Sequence, residues 1–296
     1  MEDELKQPSH PSTSGMLREL GLSRSNYYDW QKREVSAQQT KKNFVCALIQ
    51  KIYDQNNGIY GAPMIAWEIR KQNISITVKT VGNYMREMGL RACYVPPWTT
   101  TTRDPEFDTK PEFDTKLENI LNEQFNPDRP NAAWCIDTTY IPTDDGFMYL
   151  TSIMDLYSRS IIAWDLADTL STEVVIPIIK KAKRERQTSH PLIIHSDCGS
   201  QFTSQSFRKV TGSMTNSYSK KGYPWDNACI EAFHAVIKRE WLNRFHIKGK
   251  VEAERLCFEY IDAYYNTVRI HSHCHYMSPR EYEKLYYEHN KRRHAA

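Results

Sequence analysis

Apolar residues recur every three or four positions along the first third of the chain, which is the period of amphipathic helices. Five helical segments are predicted there, at residues 16–20, 25–32, 41–55, 62–71 and 77–88. In the segment 41–55, the predicted inward face consists of Phe44, Leu48, Ile49 and Ile52. The N-terminal region is therefore expected to be all-α.

The fourth and fifth of these helices are short and closely connected, which is typical of a helix-turn-helix motif. The second helix of such a motif lies in the major groove of DNA. Here its polar side presents Lys79, Thr80, Asn83 and Arg86. A helical bundle with a solvated, charged face fits the same pattern, so the periodicity alone leaves both interpretations open.

The pattern changes after residue 130, where β-branched and aromatic residues form runs bounded by turn-forming residues. Strands are predicted at 132–141, 147–156, 160–166 and 191–195, and helices at 172–186, about 226–245, 251–266 and 279–289. The sequence Asp144-Asp145-Gly146 predicts a hairpin turn between the first two strands. Three antiparallel strands followed by alternating helices and strands indicate an α/β fold in layers.

Charge is distributed unevenly along the 296 residues, and the net charge of +3 is too small for binding nucleic acid by bulk charge alone. Residues 36–93 hold eight basic and three acidic residues, a net of +5, and residues 201–250 hold nine and three, a net of +6. Residues 101–120 hold three basic and six acidic residues and contain PEFDTK twice. We therefore predict a short helical segment 1–38, a helix-turn-helix-like DNA-binding domain 39–98, a linker 99–127 and an α/β core with C-terminal helices 128–296.

Composition excludes several classes of protein. With 40% hydrophobic and 25% charged residues, the chain is expected to be globular. No apolar run approaches the roughly 18 to 20 residues of a membrane span, and the polar start does not resemble a signal peptide, so we expect a cytoplasmic protein with no membrane partner. Seven scattered cysteines without a C-x2-C pair argue against a disulfide framework or a zinc ribbon. The cluster His271, His273, Cys274 and His275 is too crowded along one segment for a tetrahedral zinc site.

Three acidic residues stand where the neighbouring sequence predicts burial or a strand end. Asp137 interrupts the apolar strand WCIDTTYI, Asp197 follows a buried strand, and Glu231 lies one turn into a long helix. Taken singly, they fit a buried hydrogen-bonded aspartate, a turn former and a solvated helix residue. Taken together on one α/β unit, they favour binding of hard divalent cations, because clustered carboxylates repel each other unless a cation neutralises them.

Two such cations roughly 3.5 to 4 Å apart can activate an attacking oxygen and stabilise a leaving oxygen in phosphodiester displacement. The chain has no GxxxxGK[ST] phosphate loop, so ATP hydrolysis is not indicated. Asp155 is a rival metal ligand because it ends a strand, but a structural ion pair with Arg159 across the turn is favoured. His195 either lines the site or is a core histidine.

Basic and aromatic residues surround the third acidic position. Lys238 lies two turns after Glu231 on the same side of the helix, where it would meet a backbone phosphate, and Arg239 and Arg244 follow it. The preceding loop is predicted to bind a strand end with unpaired bases. Its candidate residues are Lys220, Lys221, Tyr223 and Trp225. The alternative is a solvated basic helix face with its aromatic residues in the core.

Four ordered motifs resemble those of bacterial insertion-sequence transposases with two overlapping reading frames, specifically the downstream-frame product with its retroviral-integrase-like core. They are WCIDTTYI at 134–141, HSDCGSQFTS at 195–204, SKKGYPWDNACIEAF at 219–233 and YNTVRIHSHCHYMSPREY at 265–282. The resemblance extends upstream to the helix-turn-helix segment IYGAPMIAWEIRKQNISITVKTVGNYMREMGLRA at 59–92 and to LGLSRSNYYDW at 20–30. It covers nearly all of residues 17–286.

This resemblance implies an RNase H-like fold, with a mixed sheet flanked by helices, whose catalytic residues are Asp137, Asp197 and Glu231. These would bind Mg2+ or Mn2+, nick the element at a 3′ end and use the freed hydroxyl to attack a second phosphodiester. The implied partners are terminal inverted repeats and target DNA at the bacterial nucleoid, a homo-oligomer of at least two subunits, and the upstream-frame protein. Asn227 and Arg269 are further predicted DNA contacts, and Arg269 is also predicted to support the core.

The chain departs from the family pattern in two places. Only 33 residues separate Asp197 from Glu231, fewer than the resemblance implies, so the helix within that stretch is expected to be short. No sustained heptad pattern precedes Lys41, which implies that specific end recognition requires a partner. The alternative function is therefore that of a catalytically inactive or regulatory DNA-binding derivative.

Overall fold

The structure, a computed structural model, describes residues 12–32, 34–93, 117–188, 192–220 and 223–295. The N-terminal helices are α1 Thr13–Glu19, α2 Arg24–Lys32, α3 Ala37–Gln55, α4 Ala62–Lys71 and α5 Val78–Glu87. The strands are β1 Ala133–Thr143, β2 Gly146–Asp155, β3 Ile161–Ala167, β4 Ile193–Ser196 and β5 Thr215–Tyr218. The other α-helices are α6 Thr172–Arg186, α7 Ser200–Thr203, α8 Gln205–Val210, α9 Ala228–Glu240, α10 Lys250–Tyr260 and α11 Pro279–Ala295. No helix within the described ranges has both the length and the apolar character needed to cross a bilayer.

A side-chain cap sets the start of α3. The Ser36 hydroxyl accepts a hydrogen bond from the backbone N–H of Gln39, so the helix begins at residue 37, before the predicted Lys41. The buried residues of α3 are Val45, Ile49 and Ile52. The predicted inward face is wrong at Phe44, which is 57% exposed, because the spacing i, i+4 and i+7 selects its neighbour Val45.

The five strands form one sheet in the order β3-β2-β1-β4-β5. β1, β2 and β3 are antiparallel neighbours, whereas β4 pairs parallel to β1 and β5 parallel to β4. Asp144 and Asp145 form the turn between β1 and β2, and Gly146 follows with a φ of +117°, which residues with a Cβ rarely adopt. The prediction of an α/β protein with a mixed sheet flanked by helices and an all-α N-terminal region is confirmed.

Alternate residues of β1 face opposite layers of helices. Trp134 and Ile136 belong to the buried cluster that includes the apolar face of α6. Cys135 belongs to the cluster on the other face, together with Phe233 and Ile237 of α9. The sheet is thus covered by α6 on one side and by α9 and α10 on the other.

Several helices differ from their predicted lengths, among them α11, which extends to Ala295 and not to the predicted residue 289. α9 ends at Glu240, and not near residue 245, because Trp241 leaves helical backbone angles with φ −136° and ψ −69°. α10 ends at Tyr260 and continues as a π-helical turn, Ile261–Tyr265. The short helix expected before β5 is split into α7 and α8, of four and six residues, and β5 still pairs with β4.

The helices α3 to α5 share one apolar core with the face of the sheet that α9 covers. The Tyr60 hydroxyl, just before α4, accepts the backbone N–H of Ile270 at 3.1 Å. The ring of Trp67 in α4 stacks on that of Tyr276, with 4.8 Å between the ring centroids. The two regions are therefore joined by direct contacts as well as by the chain between them.

The C-terminal part of the predicted linker packs on the sheet. Leu121 is 2% exposed, and the backbone N–H groups of Ile120 and Leu121 both donate to the Ser217 hydroxyl of β5 at 2.9 Å. The Tyr218 backbone N–H donates to the carbonyl of Glu118 at 3.0 Å. The duplicated PEFDTK sequence lies outside the described residues.

Candidate active site

Asp137 and Asp197 leave adjacent strands at the same level. Cys135 of β1 pairs with His195 of β4 in parallel register. Asp137 lies two residues after Cys135 within β1, and Asp197 lies two residues after His195, just past the end of β4. Neighbouring strands lie about 4.8 Å apart, so this register places the two aspartates side by side. The side chain of Asp137 is 16% exposed, because β1 emerges from the core at this residue after four buried positions.

A backbone hydrogen bond holds the carboxylate of Asp197. Its Oδ1 accepts the N–H of Gly199 at 2.9 Å, at the start of α7. Burial raises the pKa of Asp197, the hydrogen bond from Gly199 opposes this increase, and the charge of Asp137 adds to it. The carboxyl group is thus tethered through one oxygen and lies in the field of a second carboxylate.

Glu231 lies in the first turn of α9, where it is exposed. Loss of solvation, and then the charges of Asp137 and Asp197, raise the pKa of Glu231 to about 6. The charges of the two aspartates act in addition to the loss of solvation, which is the larger cause. The three acidic residues that the sequence singles out are therefore electrostatically coupled.

The donor set of these three residues fits hard divalent cations, because every donor is a carboxylate oxygen. Within the described ranges, no group of three His, Cys, Asp or Glu side chains is arranged closely enough to hold a metal ion by itself. The raised pKa values of Asp197 and Glu231 record a concentration of negative charge that a cation would relieve. The residues present match the chemistry of Mg2+ or Mn2+, without forming a closed shell of ligands.

His234 contacts this group and was not identified from the sequence. It follows Glu231 by three residues, so both lie on one face of α9. Its Nδ1 lies 3.4 Å from Oδ2 of Asp137, and its Nε2 lies 3.4 Å from the hydroxyl of Ser152 in β2. The i, i+3 spacing from Glu231 is the sequence signal that would have found it.

Lys238 lies beside the acidic group, over an exposed aromatic ring. Its Nζ is 4.2 Å from the centroid of Tyr140, whose ring meets that of Phe147 edge to face at 5.5 Å. Tyr140 and Phe147 are 51% and 57% exposed. Burial lowers the pKa of Lys238, and the charge of Asp137 opposes that decrease. A cation and two aromatic rings thus form a surface next to the carboxylates.

The loop before α9 exposes two of its predicted DNA-binding residues. Tyr223 is 44% and Trp225 is 66% exposed, and the backbone N–H of Lys220 donates to Asp226 at 2.7 Å. Lys221 lies outside the described residues. The structure places Asn227 inside the protein, at 2% exposure, where its amide has no hydrogen-bond partner in the described part of the chain. Burial at the start of α9 removes Asn227 from the surface that DNA would contact.

The structure also corrects the prediction for Arg269, which is buried and not on a DNA-binding surface. Its guanidinium donates two hydrogen bonds to Glu240, from Nη2 at 2.6 Å and from Nε at 2.7 Å. The hydroxyl of Tyr260 donates to the same carboxylate at 2.5 Å. These contacts fit the other predicted role of Arg269, support of the core. Arg239 is partly buried, and its carbonyl accepts the thiol of Cys93 at 3.1 Å.

Asp155, the rival metal ligand, is the cross-strand partner of Trp134, three residues before Asp137 on β1. It is fully buried, and its oxygens accept the backbone N–H groups of Asn131 at 2.8 Å and Tyr157 at 2.9 Å. The expected ion pair with Arg159 is wrong, because that guanidinium donates to the carbonyls of Leu156 and Phe125 and to an asparagine side chain. A φ of +60° at Arg159 turns its side chain toward these acceptors.

The histidines considered as site residues have structural partners. Both ring nitrogens of His195 meet hydroxyls, of Ser217 at 2.8 Å and Ser219 at 3.0 Å, and burial lowers its pKa to about 4. Nε2 of His273 lies 2.9 Å from the carbonyl of Tyr157. His195 is therefore a satisfied core histidine, two residues before Asp197.

The polar face of α5 carries the residues predicted to contact DNA. Lys79, Asn83 and Arg86 are exposed, whereas Val81 and Met85 on the opposite face are buried. Arg86 donates to the side-chain oxygen of Asn83 at 3.2 Å, which orients both side chains. The contact of this face with DNA stays a prediction.

Comparison with known proteins assigns both regions. The family model of the HTH-like domain matches residues 41–97, and two models of the integrase core domain match residues 127–224 and 213–279. A solved structure, the catalytic core domain of HTLV-2 integrase in complex with magnesium in its trimeric form, aligns with a TM-score of 0.42 and 16% identity. That alignment covers 53% of this chain and 99% of the other.

Two curated relatives extend over most of the chain. The transposase for insertion sequence element IS904 of Lactococcus lactis subsp. lactis (strain IL1403) is 33% identical over 254 residues, 85% of this chain and 98% of the relative. The transposase InsF for insertion sequence IS3A of Escherichia coli (strain K12) is 29% identical over 282 residues, 94% of this chain and 96% of the relative. The chain therefore belongs to the family of insertion-sequence transposases that carry an integrase core domain.

Proposed function

We propose that this transposase nicks the 3′ ends of its DNA element and joins them to a second DNA site, with Asp137, Asp197 and Glu231 as the ligands of divalent cations. The first step forms a phosphorus–oxygen bond to water and breaks the bond to the 3′ oxygen, which leaves a free 3′ hydroxyl. In the second step that hydroxyl oxygen attacks another phosphodiester and displaces a second 3′ oxygen. The first step is a hydrolysis and the second exchanges one phosphodiester bond for another, so neither step needs a nucleoside triphosphate.

The observation that carries this proposal is the coupling of three carboxylates, none of which forms an ion pair with a lysine or arginine among the described residues. The charge of Asp137 raises the pKa of both Asp197 and Glu231. Among the ion pairs of the described residues, the partner of Asp137 is His234, and none reaches Asp197 or Glu231. A group of this kind is unfavourable for folding alone, and that favours a role in binding cations.

The carboxylates would hold Mg2+ or Mn2+ through oxygen atoms on β1, after β4 and on α9. When bound, the cations would activate the attacking oxygen and stabilise the leaving oxygen of the phosphodiester. Lys238 lies on the same side of α9 and supplies a positive charge for the DNA backbone at that point. The exposed rings of Tyr223 and Trp225 supply stacking surfaces for unpaired bases near the cut.

Recognition of the DNA duplex is proposed for α5. Its exposed residues Lys79, Asn83 and Arg86 suit contacts with base edges and phosphates in a major groove. Action on two element ends requires at least two subunits, and the upstream-frame protein is a further proposed partner. The double-stranded terminal repeats and target DNA would locate this assembly at the bacterial nucleoid.

One observation favours a second candidate, a regulatory DNA-binding protein without catalytic activity. No group of acidic side chains in the described part of the chain is already arranged as a metal site. A chain that occupies element ends without cutting them needs the DNA-binding surfaces but not such an arrangement. The two candidates differ in cleavage and agree in DNA binding.

The test uses the purified full chain, Mg2+ and a labelled oligonucleotide that carries the element's terminal sequence. Wild type is compared with Asp197→Asn and with the matched control Asp165→Asn, a change of an exposed aspartate on the edge strand β3. We expect equal DNA binding by all three proteins, and cleavage by wild type and Asp165→Asn only. Equal binding without cleavage by any of them would establish the regulatory candidate.

A further inference from the structure

His234 lies where α9 crosses the first two strands of the sheet. Its side chain is 6% exposed, and its Nδ1 lies 3.4 Å from Oδ2 of Asp137. Its Nε2 lies 3.4 Å from the hydroxyl of Ser152, the cross-strand partner of Asp137 in the register of β1 and β2. One buried ring therefore contacts a proposed metal ligand and the residue opposite that ligand.

We infer that His234 is a positioning residue that holds one carboxylate oxygen of Asp137 and leaves the other oxygen free to bind a divalent cation. A neutral imidazole has one donor and one acceptor nitrogen, and the Ser152 hydroxyl can donate to Nε2 when the ring proton is on Nδ1. In that tautomer the proton is on the nitrogen that lies 3.4 Å from Oδ2 of Asp137. This inference rests on the proposed function, in which Asp137 is a metal ligand.

The second aspartate of the site is held in a comparable way by a different group. Oδ1 of Asp197 accepts the backbone N–H of Gly199 at 2.9 Å. In the described part of the chain, no backbone N–H reaches the carboxylate of Asp137, which lies within a strand whose N–H groups serve the sheet. His234 supplies the donor that the backbone supplies for Asp197. Partners of this kind orient the ligands of metal sites and keep them from rotating away.

The order Ser152, His234 and Asp137 also resembles the nucleophile, base and acid of a hydrolase. That interpretation fails on exposure, because Ser152 is fully buried at 0% and cannot meet a substrate. The serine is covered by the sheet and by α9. These contacts therefore serve to position Asp137 and not to activate the serine as a nucleophile.

The test compares His234→Phe, which keeps a ring but removes the donor, with His234→Gln, which restores an N–H donor. His246→Phe is the matched control, since Nε2 of His246 lies 3.0 Å from Oδ1 of Asp144 at the surface, where its side chain is 82% exposed. Binding of Mn2+ is measured from the electron paramagnetic resonance of the free ion. Cleavage of the end oligonucleotide is measured over a series of Mg2+ concentrations, and thermal unfolding reports folding.

We expect His234→Phe to weaken Mn2+ binding and to raise the Mg2+ requirement for cleavage by roughly 10- to 100-fold, with unchanged DNA affinity. His234→Gln should recover most of that loss, and His246→Phe should behave as wild type. Mn2+ binding equal to wild type in a folded His234→Phe protein would overturn the inference, as would wild-type protein that binds no Mn2+. Wild type that binds Mn2+ without cleaving would refute the proposed function alone, and the Mn2+ affinities would still decide the role of His234.

Discussion

Helix α9 carries one glutamate near each end, and the two have opposite surroundings. Glu231 lies at the surface beside Asp137 and Asp197, and no cation pairs with it among the residues described. Glu240 is 5% exposed and holds Arg269 through two hydrogen bonds. The first glutamate adds negative charge to a group that already repels itself, whereas the second completes a neutral pair.

The difference separates a carboxylate that stabilises the fold, Glu240, from one that is proposed to bind a cation, Glu231. A buried charge is tolerated when a partner and hydrogen bonds compensate it, as Arg269 and Tyr260 do for Glu240. Glu240 lies at the C-terminal end of α9, where the helix dipole disfavours an anion, so the pair with Arg269 is needed there. Among the described residues, no lysine or arginine forms an ion pair with Asp137, Asp197 or Glu231, and we propose that a bound cation compensates the charge of this group instead.

The largest expected effect is on cleavage by Glu231→Gln. Removal of one proposed ligand should lower the cleavage rate by about 10³-fold or more, since metal ions supply several kcal/mol of transition-state stabilisation. The free energy of unfolding should stay the same or increase, because a repulsive charge is lost. Initial rates on the end oligonucleotide and urea unfolding measure the two quantities. A Glu231→Gln protein that cleaves at the wild-type rate would remove this residue from the site.

The same chemical change at the other end of α9 should affect folding instead. Glu240→Gln leaves the buried Arg269 without a counter-charge and should lower the free energy of unfolding by about 3 to 5 kcal/mol. The folded fraction should retain its DNA affinity. Urea unfolding followed by circular dichroism checks the prediction, and a loss below 1 kcal/mol would show that the pair does not stabilise the core.

Asp155 extends the comparison to a third carboxyl group, which is fully buried. Burial, with a contribution from the charge of Glu283, raises its pKa from 3.8 to about 6. Its contribution to stability is complete below about pH 4 and is lost as the pH rises through about 6, which amounts to about 2 to 3 kcal/mol. Unfolding free energies from pH 4 to 7.5 should decline less steeply for Asp155→Ala than for wild type. Parallel curves for the two proteins would contradict the assignment.

The smallest expected effect concerns Lys238, the cation beside the acidic group. Lys238→Gln should weaken DNA binding several-fold at any sequence and reduce the slope of log K against log salt by about 1, as for one lost phosphate contact. Lys284→Gln is the control, a change of a lysine on α11 that is 77% exposed. Fluorescence anisotropy over a salt series gives the slopes, and identical slopes for both variants would remove Lys238 from the DNA path.

Local sequence signals were sufficient to predict that most of the helices exist, and the periodicity of α4 and α5 predicted a closely connected helix pair. Asp197 was singled out because a buried strand is predicted to end just before it, and its role as a metal ligand stays a prediction. The coupling of Asp137 to Asp197 depends on the parallel pairing of β1 with β4. That pairing joins residues about 60 positions apart and has no local signature in one sequence.

Long-range contacts account for the errors. Arg269 was predicted both to support the core and to contact DNA, because its partner Glu240 lies 29 residues away and no local signal distinguishes the two roles. The pairing of Asp155 with Arg159 failed because adjacency along the chain does not fix the direction of a side chain, and a left-handed backbone at Arg159 points it elsewhere. His234 was not identified from the sequence because its contacts with Asp137 and Ser152 depend on the packing of α9 against the sheet.

The joint between Tyr60 and Ile270, with the stacked rings of Trp67 and Tyr276, has a consequence for the geometry of the DNA. It fixes the distance from α5 to the carboxylates on the sheet. Base pairs rise 3.4 Å along a duplex, so under the proposed function, with α5 and the carboxylates on one DNA end, the cut would lie a set number of base pairs from the sequence that α5 contacts. An end sequence lengthened by half a helical turn would turn the scissile bond to the far side of the duplex and be spared.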